Sequence, residues 1–446
     1  MLDVASSIIE KSLKLMEEAV LCDKCLGRFF ANLGFALNNE TRGSSLKTII
    51  CMVSSELINK GRQQEAIEML RILAKSGFKP ARELLARNGL EVPEVLPCEL
   101  CEGLLYEPLH QLTNKAINYL SAYDFNTYLV GCRVPGTIIE REDALRSCVE
   151  IEWGESIKRE INREVGSIIM LKTGKKPDFQ KPDVLVILDF HRMDVEVKPR
   201  PVFIYGRYRK LIRGIPQSKW FCPSCRGSGC PECNGTGKRY KFSVEELITK
   251  PMIERFEAHD AKFHGAGRED IDVRVLGSGR PFVIEVIEPK KRFINLEELQ
   301  REINERSQGM VEVFNLSYTD RSTIGKLKLS AKAKRKTYRA LIEIEDQLEK
   351  ERIGALSDFF REVTIKQWTP RRVLHRRADK LRMKRVYEVE ILDVKDKTFE
   401  VLIKCQGGLY VKELIHGDEG RTTPSFQEFL GAKLRVLELD VIDVED

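Results

Sequence analysis

The stretch FHGAGREDIDVRVLGSGRPFVIEV, residues 263–286, joins a glycine-rich opening to alternating β-branched residues. This pattern predicts two strands around the central Gly-Ser-Gly turn, because β-branched residues favour strands and glycine permits tight turns. Side chains alternate between the faces of a strand, so Asp270, Asp272 and Arg274 would share one face. Two acids and an arginine on one face predict either a binding site or a solvated sheet edge.

The rest of the chain predicts an α+β protein of several domains. Its 446 residues exceed the size of an ordinary single core. The first hundred residues have helical periodicity, the next part alternates helices with short strands, and the remainder fits a larger mixed sheet. We therefore expect a helical segment at 1–105, a compact α/β module at 106–240 and a mixed-sheet domain at 241–446.

Short patterns predict individual elements within these domains. The β-branched segments DVLVILDF, MDVEVKP and RPVFIYG, which lie between residues 183 and 206, are expected to form strands of one sheet. Asn295 with Glu298 predicts a capped helix start. Residues 385–407 predict a second hairpin.

The overall charge is only +6, with 74 Lys and Arg against 68 Asp and Glu. A nucleic-acid site would therefore have to come from local clusters of charge. The chain lacks the run of about 18 apolar residues that marks a membrane span, and its N-terminus lacks the pattern of a secretory signal. We expect a cytoplasmic protein without a membrane partner.

Two basic segments concentrate positive charge in the last domain. Residues 326–336 hold no acid, and residues 371–385 hold eight Arg or Lys against the single Asp379. The first segment predicts a flexible basic loop ending in Tyr338, with phosphate contacts along the loop and a stacking ring at its base. A solvated loop is the alternative. The arginines of the second segment suit phosphate recognition.

The segment CQGGLYVKELIHGDEGRTTPS, residues 405–425, combines glycines with a tyrosine and a lysine. The glycines permit close approach of the backbone. A continuing strand would place Tyr410 and Lys412 on one face, and a buried lysine beside a carboxylate would hold that acid ionised. The alternative is a surface strand that passes into a helix.

Eight of the twelve cysteines form C-x-x-C pairs, namely Cys22/Cys25, Cys98/Cys101, Cys222/Cys225 and Cys230/Cys233. Two such turns complete a tetrahedral zinc site, and an all-thiolate site is structural because it has no open position. We expect one zinc to join the two ends of the helical segment. A second is expected in the tandem Cys-Gly repeat, whose glycines permit turns that direct amide hydrogens to the sulfurs. For the first pairing, two separate knuckles or buried thiols are the alternative.

The sequence gives little support for other cofactors. The remaining cysteines are expected to be small buried hydrophobes: Cys51, Cys132, Cys148 and Cys405. The six histidines form no H-x-x-x-H pair, and the chain holds no nucleophile elbow, P-loop or convincing dinucleotide fingerprint. We therefore expect no organic cofactor.

Three motifs, in order, resemble those of a known family. GRED at Gly267–Asp270 is similar to the G-R-x-D signature of pseudouridine synthases. KTYRALIE around Tyr338 resembles the motif that supplies a ring to the target base, and Gly407–Ser425 resembles the third motif. With the paired N-terminal cysteines, the set resembles the archaeal and eukaryotic THUMP-containing tRNA pseudouridine synthases that act on the TΨC arm. Residues 183–217 resemble the THUMP RNA-binding module.

This resemblance implies an isomerase that converts uridines 54 and 55 of tRNA to pseudouridine. Asp270 would be the catalytic carboxylate, and Tyr338 would stack on the target base or help to deprotonate it. Tyr410 would contact the substrate and Lys412 would pair with Asp270. The resemblance implies a synthase domain at 241–446, tRNA as the partner and no obligatory protein partner.

Two other functions are open at this stage. A non-catalytic, zinc-stabilised RNA-binding protein would use the basic segments without needing Asp270, Tyr338 and Lys412 in one pocket. A chaperone with a zinc region of the DnaJ type would need an apolar client groove, and the basic segments argue against it. Asp272 is the rival catalytic acid, but it lacks the G-R-x-D spacing.

Overall fold

The computed structural model describes residues 2–346 and 350–445. The chain divides between Arg200 and Pro201 into two compact units. The expected α+β class is confirmed, with helices at the N-terminus and mixed sheets after them. Within the described ranges, no helix is both long and apolar enough to cross a membrane.

The first unit holds the predicted helical segment and a small sheet. Its elements are α1 (Leu2–Glu18), α2 (Asp23–Arg28), α3 (Asn39–Asn59), α4 (Gln63–Lys75), α5 (Lys79–Arg87), α6 (Glu107–Leu120), β1 (Thr127–Arg133), α7 (Gly136–Val149), α8 (Ile157–Thr173), β2 (Lys176–Pro177), β3 (Val184–Asp189) and β4 (Asp194–Pro199). The strands lie in the order β2-β1-β3-β4, with β1 parallel to β2 and β3, and β4 antiparallel to β3.

Local chemistry explains several helix starts in this unit. The side chain of Asn38 accepts a hydrogen bond from Thr41 N at the start of α3, and Ser156 accepts one from Arg159 N at the start of α8. One apolar cluster extends from Leu15 on α1 to Val195 on β4. The domain border expected at residue 105 therefore lies inside a single packed unit.

The second unit is built on one large sheet. Its elements are β5 (Val202–Lys210), α9 (Val244–Arg255), β6 (Asp260–Gly265), β7 (Arg274–Ile287), α10 (Leu296–Arg306), β8 (Val311–Thr319), α11 (Ser322–Ala333), β9 (Arg335–Ile344), α12 (Lys350–Phe359), β10 (Val363–Gln367), β11 (Arg382–Val394), β12 (Thr398–Gln406), α13 (Val411–His416), β13 (Thr422–Thr423), α14 (Phe426–Leu430) and β14 (Leu434–Val444). The order is β13-β10-β11-β12-β9-β14-β7-β5-β8, with β6 paired to β7.

The strand RPVFIYG differs from its expected position. It begins β5, which pairs with β7 and β8 of the large sheet rather than with β3 and β4. The three β-branched segments therefore do not form one sheet, and the break at Arg200 comes before the border expected at residue 240. Strand propensity fixes the element but not its partner, because pairing depends on packing between distant segments.

The Gly-Ser-Gly sequence is also different from the prediction. It does not reverse the chain, since β7 runs through it as one strand. Gly277 and Gly279 have φ of +50° and +68°. A Cβ on Gly277 would lie 2.0 Å from the carbonyl oxygen of Ile442 on β14. The glycines therefore bend β7 and allow the backbone of β14 to approach closely. A bend or a close backbone approach is, besides a tight turn, a common role of glycine in a strand. By contrast, the hairpin β11–β12 and the Asn295 cap of α10 are confirmed.

Candidate active site

A cleft of about 650 Å³, partly open to solvent, lies in the second unit. Asp270, Tyr338, Tyr410 and Lys412 all line it. The other lining residues are mainly cationic or apolar: Arg268, Arg280, Arg372, Arg377, Val273, Val373, Leu409, Val411, Leu439 and Val441, with Glu269 as a second acid. The fold thus brings the three sequence motifs into one site, and Leu414 is fully buried in the core of this unit.

The carboxylate of Asp270 faces two cations. Nη1 of Arg372 lies 2.8 Å and Nζ of Lys412 lies 3.8 Å from its Oδ2. Arg372 also binds Glu413, with 2.6 Å between Nε and Oε1. The Glu413 side chain is only 1% exposed, and a buried carboxylate needs a paired cation. Glu413 therefore holds Arg372 in place beside Asp270.

Lys412 contacts two acids rather than Asp270 alone. Its Nζ is 2.6 Å from Oδ2 of Asp272, closer than it is to Asp270. The pKa of Asp272 is lowered, because the hydrogen bond and charge of Lys412 outweigh a burial effect that raises it. Asp272 is 66% exposed, whereas Asp270 is 31% exposed and lines the cleft.

The three polar residues expected on one strand face are placed differently. Asp270 precedes a short turn, closed by a hydrogen bond from Val273 N to Asp270 O, and β7 begins only at Arg274. Arg274 points to Asp440 on β14, with 2.7 Å between Nη2 and Oδ2. Asp270 thus lies in a loop, and Arg274 belongs to a separate ion pair.

A buried network fixes the loop before Asp270. Glu269 binds Arg280 at 3.0 Å and accepts a hydrogen bond from the Tyr208 hydroxyl at 2.9 Å. Gln217 donates to Tyr208 and to the carbonyl oxygen of Gly267. Burial, followed by the charge of Glu269, raises the pKa of Tyr208. The network satisfies its own buried charges and sets the direction in which the loop leaves β6.

Lys210, at the end of β5, holds the other side of this loop. Its buried ammonium donates to the carbonyl oxygens of Asp270, Ile271 and Ile215 at 3.0–3.1 Å. Burial lowers the pKa of Lys210 to about 8, so it is still mainly protonated at pH 7 and can donate these bonds. The main chain of Asp270 is therefore clamped by a strand that sequence analysis had placed in another domain.

The two tyrosines reach the cleft from different elements. Tyr338 lies on β9, paired with Ile403 and Val441. Burial raises the pKa of its phenol, so the hydroxyl is protonated at neutral pH. Tyr410 directly precedes the first residue of α13, and the Gln367 side chain holds its main chain by donating to the carbonyl oxygen and accepting from the amide.

The two basic segments adopt defined structures. The first, expected as a flexible loop, forms α11, and Lys336 is buried within β9. Its side chains at 330–333 lie outside the described residues. In the second segment, Arg377 donates to the Tyr410 hydroxyl at 2.7 Å. This segment therefore supplies two cations to the cleft: Arg377, which contacts Tyr410, and Arg372, which contacts Asp270.

The first group of cysteines, in the first unit, meets as the sequence predicts. Cys22, Cys25, Cys98 and Cys101 have sulfurs that all lie within 4.8 Å of one another, and Cys22 is 3.7 Å from Cys101. Sulfurs bound to one zinc at about 2.3 Å are about 3.8 Å apart, so the arrangement fits a tetrahedral ion. Arg28, fully buried, lies 3.6 Å from the Cys25 sulfur.

The second group, Cys222, Cys225, Cys230 and Cys233, also has sulfurs within 4.8 Å of one another. Adjacent sulfurs are 3.7–3.8 Å apart. Gly229 N donates to Cys225, and Gly237 N donates to Cys233, at 3.2 and 3.1 Å. The expected use of the glycines is confirmed, and this group could also hold a metal ion.

The unpaired cysteines only partly follow the expectation. Cys51 and Cys405 are buried, but Cys132 is half-buried and Cys148 is exposed. The residue type alone predicts burial, whereas the actual exposure depends on which face of β1, for Cys132, and of α7, for Cys148, is turned to the core.

Sequence reasoning missed several polar residues around Asp270. Arg372 was part of a basic segment but was not singled out. Glu413 carried a signal, since it is an acid among the apolar residues Val411, Leu414 and Ile415, and a buried acid needs a cation. For Lys210, Glu269 and Arg280 the local pattern gives no comparable sign.

Comparisons with known proteins agree with these motifs. A family model described as "Pus10, C-terminal" matches residues 203–445, and "Pus10 THUMP domain, archaeal" matches residues 112–189. A protein of Thermofilum pendens named "tRNA pseudouridine synthase Pus10" is 45% identical over 97% of this chain and 94% of its own length. Its namesake in Methanothrix thermoacetophila is 44% identical over 99% of this chain and 95% of its length.

A solved Cbf5-Nop10-Gar1 complex matches 45% of this chain and 45% of its own chain at 17% identity, with a TM-score of 0.27, too low to support an argument. The presence of a THUMP region is confirmed, and the family model places it at 112–189 in the first unit, so that it shares only residues 183–189 with the stretch quoted for the resemblance, 183–217. The family model for the second part begins at β5, in agreement with the break at Arg200. The chain belongs to the Pus10 family of pseudouridine synthases.

Proposed function

We propose that this chain isomerises uridine to pseudouridine at positions 54 and 55 in the TΨC arm of tRNA, with Asp270 as the catalytic carboxylate. The arrangement of Asp270, Tyr338, Tyr410 and Lys412 around one cleft carries the proposal. A protein that only binds RNA has no need for an acid held by two cations beside two rings. The names of the relatives support tRNA as the substrate.

The reaction breaks the bond between N1 and C1′ of uridine and forms one between C5 and C1′. The target base must first leave its stack, at a cost of roughly a few kcal/mol that backbone contacts can offset. Asp270 then assists cleavage, either by attack on C1′ or as a base on the sugar. The base turns and C5 bonds to C1′, which breaks the Asp270–C1′ bond on the first route or returns the abstracted proton to the sugar on the second. The C5 proton then leaves and N1 gains a proton, so no redox partner or group donor is required.

The surrounding residues have separate roles in this proposal. Arg372 and Lys412 stabilise the negative charge of Asp270 and keep it directed into the cleft. Tyr338 stacks on the target base, since its raised pKa makes the phenolate a poor candidate for the final base. Tyr410, which lies directly before α13 and is oriented by Gln367 and Arg377, contacts the substrate from a different element than Tyr338 on β9.

We also propose that zinc occupies both cysteine groups and acts only structurally. Four thiolates at tetrahedral separations suit zinc and leave no position for a substrate. The ions would supply no chemistry to the uridine, and no organic cofactor takes part.

The test is pseudouridine mapping on an unmodified tRNA transcript by carbodiimide-dependent primer-extension stops. Asp270→Asn is compared with Asp272→Asn, a matched control that also contacts Lys412. We expect Asp270→Asn to lower the single-turnover rate on the order of 10³-fold or more, and Asp272→Asn far less. Wild-type protein that binds tRNA without forming pseudouridine would favour the RNA-binding alternative. Activity that survives Asp270→Asn would point to Asp272.

A further inference from the structure

The second cysteine group closes a short knuckle, residues 222–237, and the residues that flank the knuckle pair with each other. Arg239 N donates to the carbonyl oxygen of Trp220 at 3.0 Å, and Phe221 pairs with Lys238 in an antiparallel bridge. The cysteine loop therefore organises a small platform, residues 220–221 and 238–240, on which Trp220 and Arg239 have fixed positions. A metal ion in the knuckle would rigidify that platform.

Aromatic rings and cations alternate on this platform. The rings of Trp220 and Tyr240 pack edge to face, with centroids 5.7 Å apart. The Arg239 guanidinium lies 5.7 Å from each ring centroid, and that of Arg268 lies 5.5 Å from Trp220. Rings beside guanidinium groups are the surface that single-stranded RNA uses, because any base can stack and the cations attract phosphate. Protein interfaces are also enriched in aromatic residues and arginine, so the choice of RNA rests on the position of this platform beside the Asp270 cleft.

Trp220 also lies next to the Asp270 cleft. It lines a neighbouring cleft of about 540 Å³ in the same unit. Five residues line both clefts: Arg268, Glu269, Asp270, Arg372 and Lys412. A nucleotide chain with its target uridine at Asp270 can therefore continue directly to Trp220.

We infer that Trp220 stacks on the base of a nucleotide adjacent to the target uridine, and that the knuckle holds the ring in place for this purpose. The inference rests on the proposed function. Extruding a uridine removes stacking from its neighbours in the RNA, and an aromatic side chain replaces that lost contact. Arg268 and Arg239 hold the phosphates beside the stacked base.

The test combines Trp220 variants with abasic RNA. Affinity for tRNA is measured for wild type, Trp220→Ala and Trp220→Phe, with Phe221→Ala, the next ring along the chain and one that lines neither cleft, as the matched control. We expect Trp220→Ala to weaken binding about tenfold, Trp220→Phe to retain most of the affinity, and Phe221→Ala to change it less than about twofold. On a tRNA that lacks the base next to the target, Trp220→Ala should have no further effect.

A loss that is the same on every abasic RNA, or no loss at all, overturns the inference. Zinc content is measured for each variant. A second measurement needs no substitution: tRNA with 5-iodouridine beside the target is irradiated with wild-type protein. A cross-link at Trp220 supports the inference, and cross-links only at other residues overturn it. Pseudouridine formation by wild type is assayed separately, so failure of the proposed function is recognised independently of the stacking result.

Discussion

The two cysteine groups have the same ligands but hold different structures together. In the first unit, Cys22 meets Cys101 across 79 positions of sequence, and α1 to α5 lie between the two pairs or beside them. In the second unit, Cys222 meets Cys230 across only 8 positions. Closing a long segment removes more freedom from the unfolded chain than closing a short one. The comparison teaches that one ligand set can support either a whole unit or a single loop.

The contacts around the two groups also differ in range: those of the first group reach distant segments, and those of the second stay within its own loop. Beside the first group, the buried Arg28 binds Glu142 on α7 and Glu160 on α8, at 3.0 and 2.9 Å. The second group instead receives hydrogen bonds from its own glycine amides. The first site is thus linked by ion pairs to the THUMP region, whereas the second is complete within its own loop.

The largest effect is expected from Cys101→Ala. Loss of the first metal site should cost unit 1 roughly 5 kcal/mol or more, because metal binding and folding are coupled. The zinc content should fall from two ions per chain to one. Hydrogen exchange read by mass spectrometry should show lost protection in residues 2–200. Full protection in that range would contradict the role assigned to the long-range site.

Arg28→Met should have the next largest effect. It leaves Glu160 buried without its cation and Glu142 with only the more distant Arg146, 3.5 Å away, and breaking such a buried pair costs about 3–5 kcal/mol. Chemical denaturation measures the loss, and Arg28→Met with Glu160→Gln should recover part of it. A single variant as stable as wild type would show that the ion pairs do not connect the metal site to α7 and α8.

Cys233→Ala is expected to be milder. The knuckle closes only its own loop, so unfolding of unit 2 should lose less than about 2 kcal/mol. Exchange should become fast at residues 222–237 and remain slow in β7 and β9. A cooperative loss of protection throughout the large sheet would remove the distinction between the two sites.

Cys148→Ser should have the smallest effect and serves as the control. Its thiol is exposed and belongs to neither group, so stability should change by less than about 0.5 kcal/mol. Zinc content should stay at two ions per chain. A larger change, measured by thermal unfolding and zinc analysis, would mean that a substitution on α7 disturbs the neighbouring first site.

Much of the candidate site was visible in the sequence because its residues stand in short, ordered motifs. Asp270, Tyr338, Tyr410 and Lys412 were named from those motifs, and they line one cleft. The partners of Asp270 were less predictable. Arg372 and Asp270 lie far apart in sequence, and neither local segment indicates that they meet.

The sequence by itself determined the eight paired cysteines, the helical character of the first hundred residues, the capped start of α10, the β11–β12 hairpin and the family motifs. These follow from spacing and periodicity, which act over a few residues. Only the tertiary structure decided that β5 joins the large sheet, that Gly277 bends β7 rather than turning it, and that Arg372 with Glu413 holds Asp270. Those features depend on contacts between distant segments, and a contact of that kind leaves no periodic trace in either segment alone.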